Sequence, residues 1–183
     1  HPRAKVELWA NDEHRVGLIP IVRVVWVPKG ERPQALVRPR YQWRYVVAFV
    51  HPESGETSFW LVPALNAVIF SALLHAFAEE HGLGERKRIL LVVDQAGWHG
   101  AEAVEVPEGL TLIFLPPYSP ELQPAEHLWE LIDEPVANRA LASLTELEAV
   151  LGRRCRLLGE QRERIRSTSF FHWWPHETHA VTN

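Results

Sequence analysis

Two apolar runs constrain this chain more than any other feature. Residues 88–94 read RILLVVD and residues 110–116 read LTLIFLP. Neither alternates polar with apolar, so neither suits a strand with one wet face. Continuous runs of this length belong to buried strands in a sheet covered on both sides. The cover is legible on both flanks. Residues 66–82, NAVIFSALLHAFAEEHG, space Ile69, Leu73 and Phe77 by four, with Asn66 as N-cap and Gly82 as stop. Residues 143–166 carry an apolar stripe behind a capping box of Thr145 with Glu148, and the pattern from Pro124 onward is also helical. Ahead of these, 6–12 (VELWAND) and 19–30 (IPIVRVVWVPKG) read as strands, the second closing on a Pro-Lys-Gly turn. Residues 44–63 read as a hairpin around Pro-Glu-Ser-Gly. A meander joined to a crossover unit predicts an α/β fold, with a mixed sheet and helices on its faces.

The 183 residues suit one domain, with no repeat, linker or second domain in view. No apolar run reaches the roughly 18 residues of a membrane span, and the start has no signal-peptide h-region. The single cysteine, Cys155, cannot form an internal disulfide, so a reducing cytoplasm is expected. The net charge of −4 conceals two basic segments. Arg15, Arg23, Lys29, Arg32, Arg38, Arg40 and Arg44 face one acid, Glu31, between 15 and 44. Six arginines face Glu160 and Glu163 between 153 and 166. Such segments either hold phosphates or form solvated faces.

Three acids fall where strand ends and a helix start could meet. Asp12 follows the first strand, Asp94 ends the buried run, and Glu126 lies past the next strand at a helix start. Three hard oxygen donors suit Mg²⁺ or Mn²⁺ rather than zinc. Each acid also has a purely structural reading: a strand end for Asp12, a turn cap for Asp94, a helix N-terminus for Glu126. The stretch LPPYSPELQPAEHLWE (115–130) stiffens the approach to Glu126 with four prolines, and Trp129 is positioned to anchor its helix. His127, beside Glu126, suits a hydrogen-bonding role better than metal ligation.

Three motifs together, WANDEHRVGL (9–18), VVDQAGWHG (92–100) and LPPYSPELQPAEHLW (115–129), resemble the catalytic domain of DDE transposases. The likeness is nearest to bacterial insertion-sequence transposases related to the mariner group, and runs from residue 7 to about 174. It implies a ribonuclease H-like fold with a five-stranded mixed sheet. It implies a catalytic and metal-binding triad of Asp12, Asp94 and Glu126 that uses Mg²⁺ or Mn²⁺, as two ions, to cut and join DNA. Trp26, Gly30 and Pro33 match a family turn, and His99 matches a histidine after the second aspartate. DNA contacts are expected from Arg15, Arg23, Lys29, Arg32, Arg38, Arg40, His99 and His127. The implied partners are transposon ends, target DNA and a second copy of the chain, in a bacterial cytoplasm without membrane attachment. Two amides depart from the family pattern, Gln95 and Gln123 standing where asparagine is usual. They motivate a second reading, an inactive or domesticated DNA-binding module; another ribonuclease H-like nuclease is a third. The family's N-terminal DNA-recognition domain is not recognisable in this sequence.

Overall fold

The structure, a computed structural model, describes residues 4–30, 40–99 and 103–176. Five strands form one mixed sheet: β1 (Lys5–Gly17), β2 (Trp43–His51), β3 (Glu56–Val62), β4 (Lys87–Val93) and β5 (Leu110–Phe114). Their order is β3-β2-β1-β4-β5. β1, β2 and β3 pair antiparallel, and β4 and β5 extend the sheet in parallel with β1. The helices are α1 (Ala67–Glu80), α2 (Trp129–Asp133), α3 (Leu144–Gly159) and α4 (Arg162–Ser169).

The period of two along β1 divides the core. Trp9 points to one face and packs with Phe49, Phe70, Leu74, Phe77 and Leu91 under α1. Ala10 and Val16 point to the other, where Val46, Ala48, Leu128, Ile132, Leu147 and Leu151 meet. On α3, Leu147, Leu151, Cys155 and Leu158 follow the helical period and are all buried. Burial pushes the Cys155 thiol up to about 12, which keeps it protonated and unreactive. Asn66 caps α1 by accepting from Ile69 N at 3.0 Å, and Gly82 takes a left-handed φ of 63° just after the helix.

Several boundaries differ from the sequence reading. The first strand runs on to Gly17, so Asp12 lies within β1, opposite Ala48, rather than after it. Residues 19–30 form no strand. They run as an exposed arm, with Val24 and Trp26 fully exposed, because no strand among the described residues supplies ladder partners. The arm is held instead by Asn138, which bonds both backbone groups of Arg23 and donates its own N–H to Ile21 O. Its closing turn at Lys29-Gly30 is present, with Gly30 at φ 98°. The helical stretch 143–166 is two helices, and the α3 cap is Ser143, which accepts from Glu146 N at 3.2 Å. The Glu146 carboxylate reaches back to Ala142 N, so the capping pair is displaced from the expected Thr145 and Glu148.

The hairpin turn carries the tightest packing constraint. Gly55 has φ 71°, and a Cβ there would lie 1.9 Å from Arg162 O, the first residue of α4. At Gly82 the backbone is also left-handed, but nothing lies within 4 Å of an added Cβ. Gly82→Ala is therefore expected to cost about 1 kcal/mol of backbone strain. Gly55→Ala is expected to cost about 2 kcal/mol or more, because α4 must shift as well. Urea unfolding of both variants tests this, and equal losses would rule out the α4 contact as the cause.

Candidate active site

The pairing of β1 with β4 determines which acids meet. The strands run parallel with a constant offset, Lys5 opposite Lys87 and Ala10 opposite Val92. Carried two positions further, the same register puts Asp12 alongside Asp94. Asp94 itself follows β4, at the point where the backbone leaves the sheet. β5 lies beyond β4, and Leu115 N still bonds Val93 O at 2.9 Å before the proline stretch begins. The chain then returns toward β1 through two short 3₁₀ turns, Pro120–Leu122 and Pro124–Leu128, the second carrying Glu126. Glu126 thus sits on a 3₁₀ turn that leads into α2, not on the first turn of an α-helix.

Gln123 ties this return to the first strand. Its buried side chain donates to Asn11 O at 2.9 Å and accepts from Ala125 N at 3.4 Å, capping the turn that carries Glu126. Gln95 donates to Leu115 O at 2.9 Å, joining the second motif to the third. Both amides therefore have defined partners that a glutamine reaches.

Each of the three acids has its own surroundings. Asp12 is 7% exposed; its Oδ2 accepts from Trp129 Nε1 at 2.9 Å. That indole stacks on His14 with centroids 5.1 Å apart, and His14 bonds Asp133 at 2.9 Å. Asp94 Oδ1 accepts from Ala96 N at 2.9 Å and sits 2.7 Å from His99 Nδ1. The turn-capping role expected of Asp94 is thus real, and it uses one oxygen only. Glu126 is exposed. Asp94 and Glu126 line a cavity of about 470 Å³ with Pro116, Pro117, Tyr118 and Ser119. Tyr118 is fully exposed there and takes a φ of 58°, unusual for a bulky residue.

The electrostatics link the three. Burial pushes Asp12 up to about 7, with smaller contributions from the charges of Glu126 and Asp94, against the opposing hydrogen bond from Trp129. Asp94 moves the other way: the His99 hydrogen bond, aided by Ala96 N, holds it below the usual carboxylate range. A fourth acid joins them. Burial pushes Glu13 up to about 9, with Asp12 and Asp94 adding repulsion. Sequence reasoning had passed over Glu13. The signal was there in the strand period, which sends neighbours in β1 to opposite faces.

Three carboxylates are the hard donors that suit Mg²⁺ or Mn²⁺, and Asp94 Oδ2 makes no hydrogen bond among the described residues. The donor chemistry fits such an ion. The side chains as they stand do not close on one: among the described residues no three Asp, Glu, His or Cys side chains gather closely enough to hold a metal.

The basic residues expected to meet DNA are scattered. Arg15 is exposed, over the Trp43 ring at 5.1 Å, and Lys29 is exposed on the arm. Arg23 and Arg40 donate to Glu130 O and Ala142 O. Arg32 and Arg38, like Pro33, lie outside the described residues. In the second segment Arg154 and Arg164 pair with Glu134 and Arg162 with Glu56. His127 is exposed against Phe171 at 4.7 Å. His99 corrects its expectation: the side chain has no exposed surface and faces Asp94 and Glu13, so it is not at a DNA-binding surface.

Comparison with known proteins agrees with this geometry. A family model described as DDE superfamily endonuclease matches residues 7–148. An uncharacterized protein of Sinorhizobium fredii, y4pE/y4sA, is 34% identical over 99 residues, 53% of this chain and 71% of that protein. The solved Mos1 mariner paired end complex with Mn superposes with a TM-score of 0.57 at 18% identity. It covers 91% of this chain and 56% of the Mos1 chain. A simian T-cell lymphotropic virus intasome, in complex with PP2A regulatory subunit B56 gamma, gives a TM-score of 0.55 at 12% identity. It covers 99% of this chain and 61% of that one. At these identities the likeness is one of fold. This chain spans little more than half the length of the Mos1 chain in the paired end complex.

The raised acids predict a pH dependence. An acid whose folded pKa exceeds its unfolded value keeps its proton in the folded state while the unfolded state has lost it, so stability falls as pH rises between the two. For Asp12 that window runs from its ordinary 3.8 to about 7, and for Glu13 from 4.5 to about 9. Without divalent ions, the melting temperature is expected to fall steadily from pH 5 to pH 9. Glu13→Gln should remove most of the fall above pH 7. An unchanged slope in that variant would show that Glu13 ionises normally.

Proposed function

This chain belongs to the DDE superfamily endonucleases, and from that membership we propose that it is the catalytic domain of a transposase. In this reading it cuts DNA strands at transposon ends and joins them to target DNA by direct phosphoryl transfer. The observation that carries the reading is that the charges of Asp94 and Glu126 both act on Asp12, the three acids coming from three separate motifs. The solved Mos1 paired end complexes, one with Mn and one with Mg, support a divalent metal requirement.

The roles follow from the surroundings of each acid. Asp12 and Asp94 would hold one divalent ion, and Glu126 would help hold a second. Divalent ions, when bound, supply an activated water or 3′-hydroxyl and stabilise the leaving oxygen. Trp129 holds Asp12 from behind through Oδ2, so that carboxylate does not swing into the core. Gln123 fixes the turn under Glu126 while leaving the carboxylate itself exposed and adjustable. The cavity beside Asp94 and Glu126 admits the scissile phosphate. Arg15, Lys29 and the neighbouring basic residues contact DNA backbones, with little reading of bases.

The third acid is the most exposed of the assignments to a rival. Glu130 lies one turn beyond Glu126, on α2, and is also exposed. Glu126→Gln is expected to abolish Mn²⁺-dependent nicking of supercoiled plasmid while folding and DNA binding stay near wild type. Glu130→Gln should be mild. The reverse pattern would move the third acid by one helical turn. DNA binding is expected to be weak, indifferent to sequence and steeply salt-dependent. A nanomolar preference for one short duplex at physiological salt would instead require a base-reading element in this chain. Calorimetry should find Mn²⁺ affinity sharply reduced in Asp94→Asn, and equal affinities would remove Asp94 from the metal-binding set.

A further inference from the structure

We infer that Glu13 is a positioning residue: through His99 it fixes the direction of the Asp94 carboxylate. The inference rests on the reading of Asp94 as a metal-binding acid, and it concerns residues on the opposite face of the sheet from Asp12. The period of β1 sends Asp12 toward α2 and Glu13 toward α1, where it pairs across the sheet with buried Val47. His99 arrives at the same place from the turn after β4. Its ring lies against Phe70 of α1, with centroids 4.4 Å apart, and its side chain is wholly buried.

The polar atoms in this pocket form a line. His99 Nδ1 is 2.7 Å from Asp94 Oδ1, and His99 Nε2 is 3.6 Å from Glu13 Oε2. Among the described residues neither Nε2 nor that Oε2 has a hydrogen-bond partner, and both atoms are buried. A buried polar atom left unpaired is costly, and here two such atoms face each other. A proton donated by Glu13 to Nε2 satisfies both once the 3.6 Å gap closes to hydrogen-bond length. With Nε2 engaged in this way, the other ring nitrogen keeps its proton and donates it to Asp94. The imidazole is then fixed in both tautomer and orientation, the arrangement by which outer carboxylates orient metal-site side chains.

Removing Glu13 leaves Nε2 with nothing to define its tautomer, while the ring keeps its tilted contact with Phe70 and its edge contact with Trp98. Asp94 then depends on Ala96 N alone for its direction. The loss should appear as weaker metal binding of about 10- to 100-fold, the range typical of outer-shell partners. Glutamine can replace the function, because its amide N–H can donate to Nε2. A purely space-filling role would instead be met by leucine, which is similar in size to glutamate.

The test compares wild type, Glu13→Gln, Glu13→Leu and His99→Phe at one pH. Long-range ¹H–¹⁵N NMR reads the His99 ring without metal or activity. Wild type and Glu13→Gln are expected to carry a fixed proton on Nδ1, and Glu13→Leu to show an averaged or reversed pattern. Mn²⁺ calorimetry should then find Glu13→Gln near wild type, with Glu13→Leu and His99→Phe both weakened. A wild-type His99 pattern in Glu13→Leu overturns the inference, as does wild-type Mn²⁺ affinity in His99→Phe. If wild-type protein takes up no Mn²⁺ at all, the metal reading of the site falls, and the NMR comparison still decides whether Glu13 holds His99. Should Glu13→Leu fail to fold, His99→Phe, which fills the same space beside Phe70, and Glu13→Gln carry the decision between them.

Discussion

The site depends on keeping carboxylates at the end of an apolar sheet, where water is scarce. A bare negative charge there is costly, and the structure limits the cost differently for each acid. Asp12 and Glu13 stay protonated well above the usual carboxylate range. Asp94 stays ionised because His99 and Ala96 N answer its charge. Glu126 avoids the problem by remaining in solvent. These unequal solutions give a cluster that is tolerable in the folded chain yet retains a strong preference for positive charge. In the proposed reading, a divalent cation would satisfy the same groups that burial and repulsion otherwise penalise.

The three motifs are locked to one another by hydrogen bonds. Trp129 reaches Asp12, Gln123 reaches Asn11 O and Gln95 reaches Leu115 O. Two of these links come from the very amides that depart from the usual family pattern. Their longer side chains meet well-placed acceptors, so the substitution leaves no buried amide stranded at either position.

Much of this was legible in the sequence because apolar periodicity is a strong signal. The buried strand β4, the hairpin at Gly55 and the Asn66 cap follow from residue pattern, whereas β5, also expected to be buried, is the edge of the sheet with Thr111, Ile113 and Phe114 exposed. The arm at 19–30 did not, since β-branched residues favour a strand only where a partner offers hydrogen bonds. Register was also hidden: that Asp12 lies within β1, beside the end of β4, is a property of two strands far apart in sequence. For the same reason Glu13 and His99 could not be joined from sequence, although each adjoins or follows a candidate acid. The role first expected for His99, at a DNA surface, gave way to burial against Phe70.

The parallel pairing of β1 with β4 has a temporal consequence. Its partners are separated by the whole β2–β3 hairpin and α1, as Lys5 opposite Lys87 illustrates. The hairpin closes over four turn residues and forms from neighbouring sequence, whereas the parallel ladder must close a far longer loop. The hairpin and α1 are therefore ready before β4 can dock, and the cluster of acids is assembled late. A chain still being synthesised carries Asp12 long before Asp94 and Glu126 have emerged. The three acids therefore stay apart until most of the domain has been made.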